Sequence, residues 1–342
     1  MLDRQTDRQT DRQTDRHDYA ISAIRFISML MIITCHFMQY LEIELAWWFN
    51  VGVQIFFVIS GFLYGGKSIE KPVKFYVKAF KKLLVPYWIF VTIIAIIHKL
   101  FVPAAFSWGK LALALLCVER LPGIEHLWFV QKILICYLLL PLLLLIKKEL
   151  IEKSSAKAVV CTIFVFILLQ FAGFTFNGYA MSANNINCFV VGIFLAGVFQ
   201  KTKSLLKPTV VFCIAAVLMN TLRIYFCYIK GIKGNLFIDL FVKYAHGVLG
   251  IALFLVLYKL FQNIKANKLL HFSDKYSYHI YLVHQVYILG PLTLMGITPI
   301  IGLNIAIICS CILVSGIALK ILNNGVDYII KQIELRYSKE IV

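Results

Sequence analysis

Charged residues are scarce in this 342-residue sequence, and acidic residues are the scarcest of them. Only 15% of the residues are charged, with 17 Asp and Glu against 34 Lys and Arg, whereas 61% are hydrophobic. An ordinary soluble domain has about 25% charged residues and a smaller apolar share. The mean hydropathy of +0.82 agrees with this bias. The composition therefore excludes a soluble globular protein and indicates a membrane protein.

Long apolar runs recur along nearly the whole chain. A helix of about 20 apolar residues crosses a hydrocarbon core of roughly 30 Å. Ten such runs predict an all-α polytopic membrane protein with about ten transmembrane helices. The predicted spans are Tyr19–Leu41, Trp47–Tyr64, Leu83–Phe101, His126–Ile146, Ala158–Phe176, Asn187–Gln200, Thr209–Cys227, Leu236–Leu260, Tyr276–Gly296 and Thr298–Leu322.

The basic residues predict how these spans are oriented. Short cytoplasmic loops retain Lys and Arg, and most lysines fall in the loops that are inner if the N-terminus is inside. Both termini are therefore expected in the cytoplasm. The same loops explain the net charge of +17 through contact with the anionic lipid bilayer. No nucleic-acid partner is expected.

Metal-binding patterns are missing from the sequence. All nine cysteines lie in or beside apolar segments, and none forms a CxxC pair. Such cysteines are typical packing residues in a membrane protein. We therefore expect no metal cofactor.

The N-terminus repeats a four-residue unit. Residues 3–16 read DRQT three times and then DR, which predicts a disordered, solvated tail over residues 1–18. The codons GAC AGA CAG ACA encode this unit as a repeated tetranucleotide. Slippage of such a repeat shifts the reading frame, so we hypothesise phase variation of the protein. Residues 323–342 are expected to form a cytoplasmic C-terminal tail.

Arg25 and His36 are polar exceptions within the first span. A charged side chain at the bilayer centre costs from about 2.5 to well over 10 kcal/mol, so such residues usually face a cavity or a partner. Eleven positions separate the two, which puts them on nearly the same helix face about 16 Å apart along the axis. Arg25 could instead extend to the inner head groups, and His36 could be a packing residue.

Four further segments follow this pair in order. They are GVQIFFVISGFLYGG from Gly52, FYVKAFKKLLVPYW from Phe75, HLWFVQKILICYLLLPLLLL from His126 and SDKYSYHIYLVHQVYI from Ser273. Together with Arg25 and His36, they resemble the acyltransferase-3 family of integral-membrane O-acyltransferases. The resemblance implies that residues 19–322 form one transmembrane acyltransferase domain.

The resemblance also implies an activity. Members move an acetyl or other short acyl group from cytoplasmic acyl-CoA to a hydroxyl, usually on a sugar. Arg25 is then expected to engage the coenzyme, and His36 to act as the catalytic base or the transient acyl carrier. Lys78 and Lys82 are expected to add positive charge for the coenzyme phosphates.

A bacterial envelope glycan, such as lipopolysaccharide, capsule or a lipid-linked precursor, is the expected acceptor. The expected location is the bacterial inner membrane, where the protein would cross many times. An alternative is a transporter or flippase of a glycan or of a lipid-linked precursor. Broken helices and an internal repeat of the two halves are typical of transporters, and we find no such repeat in the sequence.

Two departures from the family pattern bear on these roles. The inner loop commonly carries two arginines, whereas this sequence has Ala79 and Lys82 at the corresponding positions. Many members have a glutamate after HLWF, whereas here Lys132 is nearby. No acidic residue that would orient His36 can therefore be named. Glu42, Glu44 and Glu125 are candidates on the outer side, and the alternative is that they are ordinary loop charges.

Five more residues are candidates for lining an acceptor cavity. They are Ser60, His126, Trp128, Tyr281 and His284. Trp128 has an alternative role as an interfacial belt residue, and His284 as a structural hydrogen-bonding group. Ser60 and Gly61 are small enough to let the second helix approach the first closely.

Overall fold

The computed structural model shows a helical bundle. It describes residues 18–103, 106–152, 160, 163–165, 167–168, 170, 183–232 and 234–340. This part of the chain contains no β-strand. The predicted class is confirmed: the protein is an all-α polytopic membrane protein.

The helices are numbered here in chain order. They are α1 Tyr19–Tyr40, α2 Ala46–Phe49, α3 Val51–Gly65, α4 Pro72–Phe101, α5 Trp108–Leu115, α6 Trp128–Glu152, α7 Asn184–Thr202, α8 Leu206–Ile224, α9 Leu236–Phe261, α10 Lys268–Ile288 and α11 Ile301–Glu340. A 3-10 turn at Glu125–Leu127 leads into α6, and a π-helical turn at Tyr225–Ile229 ends α8.

Eight helical stretches of the described chain are long and apolar enough to cross a membrane. They coincide with eight of the ten predicted spans. The predicted span Ala158–Phe176 falls mostly outside the described residues. The predicted span Tyr276–Gly296 corresponds to α10, which begins earlier and carries more polar residues than the other long helices.

Helices α1 and α10 pack side by side and run in the same direction. The ring centroid of Tyr19 lies 5.5 Å from that of His271, and the centroid of His36 lies 5.0 Å from that of His284. The start of α1 thus contacts the start of α10, and the later part of α1 contacts the later part of α10. We call the two ends of the bundle the Arg25 end and the His36 end.

Helices α6 and α7 also run parallel to each other. The ring centroids of Tyr137 and Phe189 are 6.4 Å apart, and Lys147 Nζ donates to Gln200 Oε1 at 3.4 Å. Both helices therefore start at the His36 end, because His126, just before α6, contacts His284. The end of α6 and the start of α7 consequently lie at opposite ends of the bundle.

Glycines allow α3 and α7 to approach each other closely. A Cβ added to Gly61 would lie 1.9 Å from the carbonyl oxygen of Phe189, and one added to Gly192 would lie 2.4 Å from that of Val58. The expectation that Gly61 brings the second span, α3, against α1 is therefore wrong. Gly52 has that role, because its added Cβ would lie 2.5 Å from the Ser28 carbonyl oxygen of α1.

The last helix is longer than the apolar pattern predicted. α11 continues beyond Leu322 to Glu340, so much of the expected C-terminal tail is helical. Lys81 of α4 forms an ion pair with Glu334 at 3.6 Å, in the extended part of α11. The end of α11 therefore lies at the Arg25 end, where α1 begins.

Candidate functional site

Arg25 is held by an acidic residue that the sequence analysis did not identify. Its guanidinium forms an ion pair with Asp274 of α10, and Ser22 Oγ donates to the same carboxylate at 2.5 Å. The two charged side chains are 23% and 16% exposed. Arg25 thus points into the bundle, and its charge is compensated there.

A cavity opens beside this ion pair. It encloses about 220 Å³ between α1, α3, α4, α6 and α10. Arg25, Asp274 and Lys82 line its polar part. The remaining walls include Ile32, Phe56, Ser60, Tyr64, Phe129, Tyr137, Ser277, Tyr278 and Tyr281. Of the predicted site residues, the cavity therefore brings together Arg25, Ser60, Lys82 and Tyr281.

Lys82 lies where several positive charges meet. The charges of Arg25, Lys320, Lys67 and Lys78 all act on its ammonium group. Within the described chain, Lys82 has no carboxylate partner. This end of the cavity is therefore strongly positive and suited to a polyanion.

Lys78 does not line the cavity. Lys78 is exposed on α4, and its charge acts on the ammonium group of Lys82. Lys67 and Lys320 make the same kind of contribution, but the sequence analysis did not single them out. Lys67 follows the end of α3 and Lys320 lies within α11, so both come from elements other than α4.

Three histidines form a cluster toward the His36 end. The ring centroid of His284 lies 5.0 Å from that of His36 and 4.9 Å from that of His126. His126 and His284 are buried, whereas His36 is partly exposed. Helices α1, α6 and α10 thus bring the three predicted histidines into one group.

Each histidine of the cluster has one nitrogen bonded to an oxygen that can only accept. His36 Nδ1 lies 2.7 Å from Gln39 Oε1, His284 Nδ1 lies 2.6 Å from the Tyr281 carbonyl oxygen, and His126 Nε2 lies 3.0 Å from that of Leu282. These nitrogens therefore carry the hydrogens of the neutral rings. His36 Nε2, His284 Nε2 and His126 Nδ1 are the nitrogens that can accept a proton.

Gln39 orients His36 in the absence of a carboxylate. It lies three residues after His36, one turn further along α1, and its amide oxygen holds the ring through Nδ1. Glu125 reaches the cluster indirectly, because its Oε2 accepts from Gln285 Nε2 at 3.3 Å and Gln285 Oε1 accepts from the His126 backbone N–H at 3.1 Å. Glu42 and Glu44 are exposed.

Tyr281 separates the cavity from the histidine cluster. It lines the cavity, its hydroxyl donates to the His126 carbonyl oxygen at 2.5 Å, and its ring centroid lies 5.5 Å from that of His284. His36 itself is not among the lining residues of the cavity. Arg25 and His36 therefore both lie on α1, and both contact α10. Tyr281 lies between the cavity beside Arg25 and the histidine cluster that contains His36.

Trp128 is not part of the cavity or of the histidine cluster. Its ring lies beneath the ammonium of Lys132, 4.8 Å from the ring centroid. The two residues are one helical turn apart on α6. Trp128 thus supports a buried cation on another side of the helix.

The described residues include no group of His, Cys, Asp and Glu arranged to hold a metal ion. The described cysteines are all free. The side chains brought together at this site offer imidazole proton transfer, hydroxyl groups and positive charge.

The comparison with known proteins agrees with this arrangement. A protein-family model described as an acyltransferase domain matches residues 18–320 of the chain. The match includes the ion pair, the cavity and all three histidines of the cluster. No curated protein and no solved structure matches the chain.

Proposed function

The chain belongs to the acyltransferase-3 family, and from that premise we propose that it moves an acetyl or other short acyl group from acyl-CoA to a sugar hydroxyl. Family membership supports a membrane acyltransferase. The donor, the acceptor and the roles of individual residues form the proposal. The observation that carries it is the positive cavity whose inner wall, Tyr281, contacts the histidine cluster.

The donor enters at the Arg25 end. Coenzyme A carries several phosphate charges, and Lys82 is surrounded by other cations without a carboxylate partner in the described chain. Lys82 and Lys78 therefore attract the phosphates. Arg25 is already paired with Asp274, so its role is to hold a fixed positive group at the cavity wall.

The acyl arm extends from the cavity toward His36. Arg25 and His36 are about 16 Å apart along α1, a distance that the flexible arm of the coenzyme can span while its phosphates stay at the Arg25 end. Tyr281 and Phe129 line the inner part of the cavity, and their ring centroids are 5.2 Å apart. A shift of these side chains would join the cavity to the histidine cluster.

His36 acts as the general base. Its Nε2 removes the proton of the acceptor hydroxyl while that oxygen forms a bond to the thioester carbonyl carbon. The tetrahedral intermediate then breaks its carbon–sulfur bond, and the leaving thiolate takes the proton back from the His36 imidazolium. The products are an ester and the free coenzyme thiol.

The acceptor is a glycan of the bacterial envelope, and the protein acts in the inner membrane. The positive-inside rule, applied to the basic loops, supports a cytoplasmic Arg25 end, so the acceptor would approach from the His36 end. Frame switching by the DRQT repeat remains a prediction, which the codons of residues 3–16 test.

Proteoliposomes containing the purified protein test the proposal. Labelled acetyl-CoA is supplied with an envelope glycan extract, and release of the coenzyme thiol is measured together with label on the glycan. We expect both signals in the wild type and neither in His36→Ala. Glycan movement across the membrane without label transfer would instead indicate a transporter.

A further inference from the structure

A second polar region lies at the His36 end, outside the cavity and the histidine cluster. It surrounds a single turn of α9, from Lys243 to His246. Side chains from α7 and α8 bond to this turn, and a side chain from α3 bonds to one of those from α7. We call the amides among them, Gln54, Asn184, Asn185, Asn187 and Asn220, the amide cluster.

Hydrogen bonds hold the amide cluster together across the helices. Asn184 Nδ2 donates to the Lys243 carbonyl oxygen at 3.0 Å, and Asn187 Nδ2 donates to the Tyr244 hydroxyl at 3.1 Å. Asn220 Nδ2 donates to the Ala245 carbonyl oxygen at 3.2 Å. Gln54 joins from α3, since its Nε2 donates to Asn185 Oδ1 at 3.1 Å.

Three oxygens of the amide cluster have no partner. Gln54 Oε1, Asn187 Oδ1 and Asn220 Oδ1 are buried and accept no hydrogen bond in the described chain. The three side chains belong to residues that are 5%, 8% and 7% exposed. Buried acceptors without donors are costly in an otherwise apolar bundle. A ligand rich in hydroxyl groups would supply the donors.

Two buried cations belong to the same region, Arg223 through a distance to the α9 turn and Lys132 through its charge. Lys132 and Arg223 are each 6% exposed. Arg223 Nη1 lies 3.4 Å from His246 Nδ1, and the charge of Lys243 acts on Lys132. The region thus combines positive charge with buried amide oxygens that lack hydrogen-bond donors.

Neither buried cation has a carboxylate partner in the described chain. Residues 153–238, the stretch that contains Arg223, include no Asp or Glu. Asp239 is the first acidic residue after that stretch, and its charge acts on Lys243. Each of the two cations lies against a tryptophan ring. Arg223 Cζ lies 4.2 Å from the ring centroid of Trp48, and the Lys132 ammonium lies over the Trp128 ring.

Stacking on an aromatic ring offsets only part of the cost of burying an ion. The two cations lie at the His36 end of the bundle, which has fewer basic residues than the Arg25 end. Their retention there indicates an anionic ligand. A phospholipid phosphate would satisfy the cations but leave the three amide oxygens without enough donors. An acidic sugar supplies both the anion and the hydroxyl groups.

We propose that this region is the acceptor subsite and that it selects an acidic glycan, with Lys132 and Arg223 binding the carboxylate or phosphate and the amide cluster accepting from sugar hydroxyls. The inference rests on the proposed function, because it assigns the substrate class of that reaction. Lys132 and His126 are six residues apart along the start of α6, on the order of 10 Å. A bound sugar chain can therefore reach from this region to the histidine cluster.

Binding to the wild-type protein in phosphatidylcholine nanodiscs tests the selection directly. The probes are three disaccharides of the same linkage that contain glucose, glucuronate or glucose 6-phosphate. We expect at least one acidic probe to bind about tenfold more tightly than the neutral one, as a charged hydrogen bond permits. Equal binding of all three probes would overturn the proposal.

Lys132→Met and Arg223→Gln separate a binding role from a structural one. Each variant should weaken binding of the acidic probe about tenfold, the size of one charged hydrogen bond. Each should also raise the melting temperature of the ligand-free protein, because a buried unpaired cation is removed. Lys110→Gln, which changes an exposed lysine of α5, is the matched control and should leave both quantities unchanged. Lower melting temperatures with unchanged binding would overturn the proposal.

Two further measurements distinguish the remaining explanations. If phosphatidylglycerol stabilises the wild type but not Lys132→Met, and the acidic disaccharides have no effect, the region binds lipid and the proposal is wrong. Thiol release from acetyl-CoA is followed in the same preparations. Its absence would contradict the proposed acyl transfer, whereas selective binding of acidic probes would still stand.

Discussion

His284 of α10 lies against His36 of α1, with ring centroids 5.0 Å apart, and Asp274 of the same helix pairs with Arg25. Arg25 and His36 of α1 thus each have a neighbour on α10. His36 lies eleven positions after Arg25, and His284 lies ten positions after Asp274. The parallel packing of the two helices explains how an apolar bundle retains both a charged and a titratable group.

Replacing His36 tests the general base. We expect His36→Ala to lower kcat by about 10²- to 10⁴-fold, the usual contribution of general base catalysis. Gln39→Leu should lower kcat by up to about tenfold, since it removes one hydrogen bond that fixes the ring. Thiol release in proteoliposomes measures both effects. Wild-type turnover in His36→Ala would refute this role.

Breaking the ion pair should destabilise the protein. Asp274→Ala leaves Arg25 partly buried and uncompensated, which we expect to cost about 1–3 kcal/mol, less than for a fully buried pair. The double variant Arg25→Ala/Asp274→Ala should recover part of this loss. Melting temperatures of the three proteins in detergent measure the coupling. Equal destabilisation in the single and double variants would show that the pair is not a stabilising unit.

Lys82 and Lys81 are adjacent but differ in their surroundings. Lys82 lines the cavity, whereas Lys81 is paired with Glu334. Lys82→Ala should raise the KM for acetyl-CoA about tenfold through the loss of one charged contact, and Lys82→Arg should restore most of it. Lys81→Ala is the matched control. A similar rise in KM for both alanine variants would argue for a general effect of charge.

Added volume between α3 and α7 should not be tolerated. A Cβ at Gly61 would overlap the Phe189 carbonyl oxygen, so Gly61→Ala should destabilise the protein by about 1–3 kcal/mol or more. Gly302→Ala is the control, because no atom lies within 4 Å of the added Cβ. The folded fraction after detergent extraction measures the difference. Equal yields of the two variants would contradict the close helix contact.

Hydropathy predicted most helices because the lipid-facing residues dominate the pattern. It misplaces the start of α10, whose polar residues face the interior of the bundle. The predicted start at Tyr276 left Asp274 outside the span, although Asp274 belongs to the helix and pairs with Arg25. A polar residue buried between helices carries no apolar signal, so its helix is recognised only in part.

The site was predicted in part for a related reason. Arg25, His36, His126 and His284 were found because ionisable residues are conspicuous in apolar runs. Their partners were not found, since Gln39 is an ordinary polar residue near a helix end and Asp274 is 249 positions from Arg25. Pairing over such a distance depends on which helices become neighbours, and the sequence of one helix does not specify that.

The separation of Arg25 and Asp274 along the chain also affects biogenesis. Helix α1 leaves the ribosome early, whereas α10 is made only after most of the chain has entered the membrane. Arg25 must therefore be accommodated by the translocation machinery, by lipid head groups or by a chaperone until its carboxylate arrives. The ion pair between Arg25 and Asp274 therefore forms only after α10 has docked onto α1.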